Sequence, residues 1–523
     1  MSGARAGRSR APLTLVLPAL ATVALLLLPL AYLVVRATES SSGWRLLWRQ
    51  STLELVWSTG LLVAGVTAAS VAIGVSLAWL TTRTDLPGRR IWAVAAALPL
   101  VVPSYVAAFC LLGAFGPRGL LQQLLGVERL PEIYGYWGAL SALTLSTYPY
   151  VLLLTSAALR GLDPSLEEAA RGLGRPGLDV FRRVTLPALR PSIGAGALLV
   201  ALYALSDFGV VSLMRYDALT RAIYLQYRSL FDRTPAAVLA LVLVVLTAVV
   251  LVVEGRTRRR TSRSSPGVAR QARLHRLGRW KVAALVYCSA VVGVFLVVPA
   301  AVLCYWLARG LERADVPVRE ALNSVSASAL AAAAAAVAAL PVALLVHRSP
   351  GRGTRLLERL SFTGNALPGI VIALSLVFFA ANYASPIYQT LALLVFAYVV
   401  RFLPQALAGV ESSLASVSPR VEEAARALGR GPLHAALTVT VPLARSGLLA
   451  GAALVFLSAL KELPATLLLR PIGFETLATE IWRFTSVGAY SRAAPPALLL
   501  IAVSAPFVYL LSSRHSPEAT EHG

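Results

Sequence analysis

Apolar residues occur along this chain in long blocks, separated by shorter polar and charged stretches. The blocks hold roughly 20 residues each, enough for an α-helix to cross a bilayer. We therefore predict an all-α polytopic membrane protein with about twelve transmembrane helices. The predicted spans are 12–35, 55–80, 91–115, 135–159, 192–212, 236–254, 281–307, 321–346, 361–381, 388–408, 446–468 and 493–512.

Composition agrees with this pattern, since 57% of the 523 residues are hydrophobic, 14% are charged and the mean hydropathy is +0.70. The first apolar run, Leu13 to Val35, is longer than the apolar part of a typical signal peptide, so we expect a retained anchor helix. Cys110, Cys288 and Cys304 lie in or beside apolar runs without metal-ligand or redox spacing. We expect them to be small buried residues.

The net charge of +23 and the run RTRRRTSR from Arg256 would suit a nucleic-acid partner, but the distribution of charge argues otherwise. Basic residues concentrate in alternate loops, which the positive-inside rule places in the cytoplasm. We therefore predict that both termini are cytoplasmic and that nucleic acid is not a partner. The basic cytoplasmic loops contain Arg5, Arg8 and Arg10; Arg83, Arg89 and Arg90; Arg171 to Arg190; Arg256 to Lys281; Arg348 to Arg359; and Arg420 to Arg445.

The chain contains an internal duplication. Glu168 and Glu423 are 255 positions apart, and the same offset relates further residues in loops and helices. A constant offset over this length indicates two homologous halves. Because six spans per half is an even number, the halves share one orientation in the membrane, as in parallel-repeat transporters. The matched pairs include Pro149 and Pro404, Pro164 and Pro419, Gly174 and Gly429, Pro187 and Pro442, Asp207 and Glu462, and Arg215 and Arg470.

These patterns divide the chain into six segments. We predict an N-terminal anchor helix with an outer loop (1–54), a first transmembrane module (55–255), a basic cytoplasmic linker (256–280), a seventh span with an outer loop (281–320), a second module (321–512) and a cytoplasmic tail (513–523).

One duplicated cytoplasmic loop has the features of a docking element. Each copy combines a capping residue before proline, paired glutamates, paired alanines and a glycine that ends a short helix. The alanines give the helix a low profile that could enter a groove. The copies are Asp163-Pro164, Glu168, Ala169, Ala170 and Gly174, and Ser418-Pro419, Glu423, Ala424, Ala425 and Gly429.

The full loop pattern is E-A-A, three residues, G, nine residues, an aliphatic, one residue, an aliphatic and P, from Glu168 to Pro187 and from Glu423 to Pro442. It resembles the EAA loop of the integral-membrane subunits of ABC importers. The resemblance covers essentially the whole chain, as two fused type I permease modules. It implies a bacterial inner-membrane location, two ATP-binding subunits that each receive one coupling helix, and an extracytoplasmic substrate-binding protein. Small departures are Val184, Val439 and Val441.

A second resemblance concerns the cargo. Lys461 to Trp482 and its counterpart Ser206 to Tyr224 are similar to segments of ferric-iron ABC permeases. This resemblance implies iron(III) as cargo, with thiamine, polyamine and phosphonate permeases as alternatives of similar build. The sequence by itself does not derive iron, since no carboxylate, tyrosine or histidine cluster has clear ligand spacing.

The sequence argues against an enzyme. A P-loop needs lysine in G-x-x-x-x-G-K-[ST], and the only lysines are Lys281 in W-K-V and Lys461 in L-K-E. The five histidines form no metalloenzyme or triad pattern. We therefore expect a transport subunit without its own ATPase site, resident cofactor or metal.

An ion-coupled secondary transporter is the alternative from a different class. The stretch TTRTDLPGRR from Thr81 partly matches the D-R-x-G-R-R loop of major facilitator proteins, but Leu86 replaces the first arginine. Such carriers usually keep ionisable groups at mid-membrane depth. Here we expect Asp207 and Glu462 at outer helix ends, with Arg401 midway along its span as the exception.

Several residues are predicted to contribute to a path between the halves. We expect Asp207 and Glu462 to flank its entrance and Arg401 to face its lumen. Arg215 and Arg470 precede segments that we expect to receive the binding protein, Tyr216 to Tyr224 and Phe474 to Trp482. The alternative is that these charges only anchor helix ends at the interface. Prolines expected to break or kink path helices are Pro103, Pro149, Pro368 and Pro404.

Overall fold

The described part of the chain is almost entirely helical. A computed structural model describes residues 13–38, 45, 47–117, 119–128, 130–229, 234–259, 274–310, 316–349, 351–415, 417, 421, 424–425, 427, 429 and 431–513. Within these ranges the only β-type pairing is an isolated bridge between Thr84 and His275. The predicted all-α class is confirmed.

The helices are numbered in chain order. They are α1 (Leu13–Thr38), α2 (Gln50–Arg83), α3 (Arg89–Ala97), α4 (Ser104–Phe115), α5 (Leu120–Leu125), α6 (Tyr136–Gly161), α7 (Pro164–Gly172), α8 (Gly177–Val180), α9 (Leu186–Ser206), α10 (Gly209–Leu213), α11 (Leu219–Ser229), α12 (Thr234–Arg259), α13 (Lys281–Val292), α14 (Val298–Gly310), α15 (Val318–Arg348), α16 (Arg352–Ser361), α17 (Thr363–Ala366), α18 (Gly369–Tyr383), α19 (Leu391–Leu414), α20 (Pro432–Ala435), α21 (Val441–Leu443), α22 (Arg445–Leu460), α23 (Pro464–Leu469), α24 (Leu477–Ser486) and α25 (Tyr490–Ser513).

Short segments of other helical types join some of these helices. Segments of π-helix at Phe181–Thr185, Gly293–Val297 and Ala436–Thr440 make α8 continuous with α9, α13 with α14, and α20 with α21. The 3₁₀ segments are Leu98–Val101, Gly278–Trp280 and Ser385–Ile387.

Nine helices in the described residues are long and apolar enough to cross a membrane, or ten if the bent pair Ala436–Leu443 and Arg445–Leu460 counts as one span. Two of the roughly twelve predicted spans have no counterpart in this set. The predicted span 361–381 contains α18, an apolar helix of only 15 residues. The predicted span 493–512 corresponds to α25, a 24-residue helix with three internal prolines.

Two short helices occupy the interior. Pro103 and Pro368 directly precede α4 and α18, and they separate these helices from α3 and α17. A 15-residue helix is ~22 Å long, shorter than the ~30 Å hydrocarbon core. Ten of the 12 residues of α4 and 11 of the 15 residues of α18 are buried, so protein rather than lipid surrounds most of each helix. The expected breaks at Pro103 and Pro368 are present, whereas Pro149 and Pro404 lie inside continuous helices.

The first helix of each half packs on the other half. Helix α1 contacts α15 and α18, where the Ser375 hydroxyl donates to the Pro29 carbonyl at 2.5 Å. Reciprocally, α14 contacts α4, and the Trp306 indole N–H donates to the Gly113 carbonyl at 3.0 Å. These reciprocal contacts join the two halves into one interior.

Equivalent packing confirms that the duplication extends beyond the loops. Gly196 in α9 and Gly451 in α22 are 255 positions apart, as are Val151 and Ala406. A Cβ atom on Gly196 would lie 3.0 Å from the Val151 Cα, and one on Gly451 would lie 2.9 Å from the Ala406 Cα. Glycine therefore permits the same close helix crossing in both halves.

Candidate functional site

The first buried carboxylate of the interior is Asp207, directly after the last residue of α9. Its Oδ2 accepts a hydrogen bond from the Ser104 hydroxyl at 2.5 Å, and its Oδ1 accepts one from the Val210 N–H at 2.8 Å. Ser104 is the first residue of the short helix α4. Asp207 therefore joins three elements: the end of α9, the start of α10 and the break before α4.

The second buried carboxylate is Glu462, two residues after the end of α22. Its Oε1 accepts a hydrogen bond from Arg401 Nη1 at 2.7 Å and a longer one from the Ala465 N–H at 3.3 Å. Both Asp207 and Glu462 are more than nine-tenths buried. The two repeat-equivalent carboxylates thus hold the first turns of α10 and α23 in the same way.

The two carboxylates have different side-chain partners, and the residue after each interior proline explains why. A Cβ atom on Gly369 would lie only 1.6 Å from Arg401 Nη1, so the glycine leaves space for the guanidinium. In the first half this position is Ser104, whose hydroxyl fills the space, and Ser146 stands 255 positions before Arg401. The second half therefore contains an ion pair where the first has a hydrogen bond from an uncharged hydroxyl.

The segments that carry the two carboxylates pack together. A Cβ atom on Gly209, two residues after Asp207, would lie 2.8 Å from the Tyr105 Cβ and 3.2 Å from Cδ2 of Leu463, the neighbour of Glu462. Lys461 Nζ donates to the Leu100 carbonyl of the first half at 3.4 Å. We name Ser104, Tyr105, Asp207, Arg401 and Glu462 the central cluster. Its carboxylates are buried and follow the ends of α9 and α22, as expected for residues at helix ends.

Aromatic side chains from both halves meet next to Asp207. The Phe208 ring lies 4.8 Å from Tyr224 and 6.2 Å from Trp482, measured between centroids. Tyr224 and Trp482 are themselves 6.1 Å apart in an edge-to-face arrangement. They are the last residues of the two similar segments Ser206 to Tyr224 and Lys461 to Trp482, so the ends of these segments meet here.

Arg215 and Arg470 each hold a turn beyond the short helices α10 and α23. Arg215 has a positive φ of 54° and lies over the Tyr134 ring at 4.8 Å. Arg470 forms an ion pair with Glu475. Burial, followed by the nearby Arg483, lowers the pKa of Arg470. Both arginines therefore have structural partners, while α11 and α24 follow them as the segments predicted to receive a binding protein.

The first predicted docking loop forms the expected short helix, α7. The Asp163 carboxylate caps it by accepting from the Ser165 N–H at 2.9 Å. Glu168 and Ala169 are exposed and Ala170 is half-buried. Gly174 has a φ of 78°, a conformation that favours glycine, and ends the helix as predicted. Pro187 lies in the first turn of α9.

The second loop is described only in part. Ala424 is exposed, Ala425 is buried and Gly429 has a φ of 83°, close to that of Gly174. Pro442 is exposed at the start of α21. Glu423 lies outside the described residues.

Glu167, the first of the paired glutamates, has contacts that the sequence pattern did not predict. Its buried carboxylate accepts from the Thr185 hydroxyl at 2.8 Å and lies 3.7 Å from an Arg171 nitrogen and 4.0 Å from an Arg83 nitrogen. Arg83 ends α2, and Thr185 precedes α9. Glu167 therefore attaches α7 to two membrane-spanning helices.

The end of the basic linker docks on this network. The Arg171 guanidinium donates to the ring nitrogen Nε2 of His275 at 2.5 Å. The backbone N–H of His275 donates to the backbone carbonyl of Arg83 at 2.8 Å. Burial, followed by the Arg171 charge, lowers the pKa of His275 below its usual 6.5. The Leu277 N–H, followed by Lys281, lowers the pKa of Asp85. The residues of this contact are too far apart in sequence for motif spacing to reveal it.

The described residues contain no group of three or more His, Cys, Asp or Glu side chains that could hold a metal ion. The chain's relatives give the arrangement its context. The family described as binding-protein-dependent transport system inner membrane component matches residues 70–263 and 335–514, one range in each half. The chain belongs to this family. It is thus a multi-pass permease component of an inner-membrane transport system.

Individual relatives of this permease differ in the share of the chain they match. The Fe(3+)-transport system permease protein FbpB 2 of Haemophilus influenzae is 34% identical over 499 residues, covering 93% of this chain and 95% of that protein. The sulfate transport system permease protein CysT of Salmonella typhimurium is 33% identical over 191 residues, 36% of this chain and 68% of that protein. A solved structure of the MetNI methionine ABC transporter aligns with 43% of this chain and all of its own at 20% identity and a TM-score of 0.33.

Proposed function

We propose that this permease imports ferric iron, driven by two separate ATP-binding subunits and supplied by an extracytoplasmic binding protein. The observation that carries the cargo assignment is the 34% identity to a ferric permease over 93% of the chain, because a match of this length includes most of both halves. In this proposal both termini are cytoplasmic, the loops at Glu168 to Pro187 and Glu423 to Pro442 receive the ATPases, and 55–255 and 321–512 are the two modules.

The contacts of α7 support its role as a coupling helix. Glu167 ties it to α2 and to the start of the continuous span Phe181–Ser206. The opposite end of that span leads directly into Asp207. In the second half, the bent pair Ala436–Leu443 and Arg445–Leu460 connects the equivalent loop to Glu462. We name these two spans the lever helices, because movement of a docked loop would move the carboxylate beyond each one.

Transport in this proposal is alternating access between the halves. Closure of the ATPases on ATP draws the two coupling loops together, and the lever helices transmit that movement to the interior. The contacts of Phe208, Tyr224 and Trp482 then open towards the loaded binding protein. The chain supplies the path and the levers, while nucleotide hydrolysis takes place on its partners.

An oxyanion permease is the second candidate function. The sulfate relative supports it, as do the cationic groups of Arg401 and Lys461 in the interior. Against it, that relative matches only 36% of this chain, and the interior carboxylates would repel a sulfate ion.

Uptake of labelled cargo tests the proposal. Cells lacking other ferric uptake would express the permease with its ATPase and binding protein, and receive labelled ferric iron, sulfate, molybdate, thiamine, polyamine or phosphonate in parallel. We expect ATP-dependent uptake of iron alone. Uptake of another cargo in place of iron would refute the cargo assignment, while the family membership would stand.

A further inference from the structure

The central cluster contains a buried hydroxyl without a hydrogen-bond partner. Tyr105 is 3% exposed, and its hydroxyl makes no hydrogen bond to any residue that the structure describes. A Cβ atom on Gly209 would lie 2.8 Å from the Tyr105 Cβ and 3.2 Å from Leu463 Cδ2, so Tyr105 packs against the segments that follow Asp207 and Glu462. Burial of an unpaired hydroxyl is unfavourable, so its position between these two segments calls for a further reason.

The cluster also contains a positive charge where the two halves meet. Arg401 forms a 2.7 Å ion pair with Glu462, and Lys461, the neighbour of Glu462, donates to the Leu100 carbonyl of the first half at 3.4 Å. Gly369 leaves the space that this guanidinium occupies. Arg401 therefore balances negative charge at the place where the two halves meet.

Carboxylate, hydroxyl and phenol oxygens are the donors that hard cations prefer. We propose that Asp207, Glu462 and Tyr105 form a transient binding site for the cargo cation, and that Arg401 is a tethered cation that occupies this site in the closed state. The cargo displaces the guanidinium from Glu462, and Arg401 returns when the cargo leaves. This inference rests on the proposed ferric cargo and adds the residues that contact it.

The geometry suits passage rather than storage. Each carboxylate also holds the first turn of a short helix, through Val210 for Asp207 and Ala465 for Glu462. A passing cation must compete with these hydrogen bonds and with Arg401, which keeps binding weak enough for release. Because the carboxylates follow the lever helices, movement of the coupling loops would change their separation and so their affinity for the cation.

The first test measures cation binding without transport. The full permease, assembled with its ATPase subunits in lipid nanodiscs, would be compared with Arg401→Gln by thermal unfolding in gallium(III) citrate, citrate alone and sulfate. Without Arg401 the carboxylates lack their cation, so we expect gallium to raise the melting temperature of the variant by at least ~2 °C more than that of the unmodified protein. The absence of a gallium-specific rise, or a rise with sulfate instead, would overturn the proposal.

The second test uses Tyr105→Phe, which removes only the unpaired hydroxyl. We expect an unchanged melting temperature but about tenfold slower ATP-driven uptake of ferric iron, the ratio for loss of one hydrogen bond to a charged group. Tyr148→Phe is the matched control, because Tyr148 also has a buried hydroxyl without a partner but packs against Phe295, away from the cluster. Its uptake should equal that of the unmodified protein. Equal uptake by Tyr105→Phe, or equal loss in both variants, would contradict the proposed site.

The two tests separate the inference from the cargo assignment. If the unmodified permease carries no iron but gallium stabilises Arg401→Gln, the site is a cation site and only the ferric cargo is wrong. If iron is carried and neither variant behaves as expected, the cargo stands and the cluster has a structural role only.

Discussion

Removal of the Glu167 carboxylate should weaken the attachment of the first coupling helix. This side chain accepts from Thr185 at 2.8 Å and is the acidic partner of Arg83, which is itself buried. Glu167→Ala removes both interactions. Glu167→Gln keeps an oxygen that can accept from Thr185 but removes the charge opposite Arg83, so the pair of variants separates the two effects.

The distances give the expected magnitudes. A hydrogen bond to a charged group contributes ~1.5–3 kcal/mol, and this one is short and buried. The ion-pair distances of 3.7 and 4.0 Å are longer, so we assign the charge a smaller contribution of ~1 kcal/mol. We therefore expect α7 to open more easily by ~3 kcal/mol in Glu167→Ala and by ~1 kcal/mol in Glu167→Gln.

Hydrogen exchange of α7 in the full complex measures this opening, and the ratio of iron carried to ATP hydrolysed measures coupling. Glu168→Ala is the matched control for exchange, because Glu168 is exposed on the same helix. We expect the fastest exchange and the lowest ratio in Glu167→Ala, and intermediate values in Glu167→Gln. Exchange as slow in Glu167→Ala as in Glu168→Ala would refute this role.

Three further outcomes are expected. The double variant Gly174→Trp, Gly429→Trp should insert in the membrane but lose uptake, because both glycines have φ near 80°; normal uptake would argue against a docking role for these turns. Gly451→Val should destabilise the permease by ~1–3 kcal/mol, since a Cβ there meets the Ala406 Cα at 2.9 Å; an unchanged melting temperature would count against this crossing. The pKa of His275 is lowered in the folded state, so the stability that this residue contributes is present above pH 6.5 and is lost as the pH falls below that value. In unfolding measured against pH, His275→Gln should therefore lose less stability on acidification than the unmodified protein. An equally steep loss in the variant would assign the pH dependence to another group.

Sequence spacing was sufficient for the features that repeat or depend on local chemistry. The 255-residue offset identified both loops, and the helix-ending role of Gly174 follows from its place after Ala169-Ala170. The equivalence of Asp207 and Glu462 was also visible in this offset. Hydropathy identified most spans because lipid-facing helices must be apolar along their full length.

Contacts between distant segments could not be predicted in this way. Hydropathy suggested a full span at 361–381, but α18 has only 15 residues because Pro368 separates it from α17. So short a helix is possible here because protein surrounds most of it. The breaks place Ser104 beside Asp207, and Gly369 leaves room for Arg401 beside Glu462. These pairings depend on the packing of helices that are far apart in the chain, so neither pairing could be predicted from sequence spacing.

Dependence on ATP tests the central claim, that the chain is a path operated by separate ATPases, most directly. The permease would be reconstituted in vesicles, with and without its ATPase and loaded binding protein, and labelled ferric iron uptake measured with ATP or with a proton gradient alone. We expect uptake only with all partners and ATP, and none from the proton gradient. Substantial uptake by the chain alone under a proton gradient would contradict the account and return Asp207, Arg401 and Glu462 as ion-coupling residues.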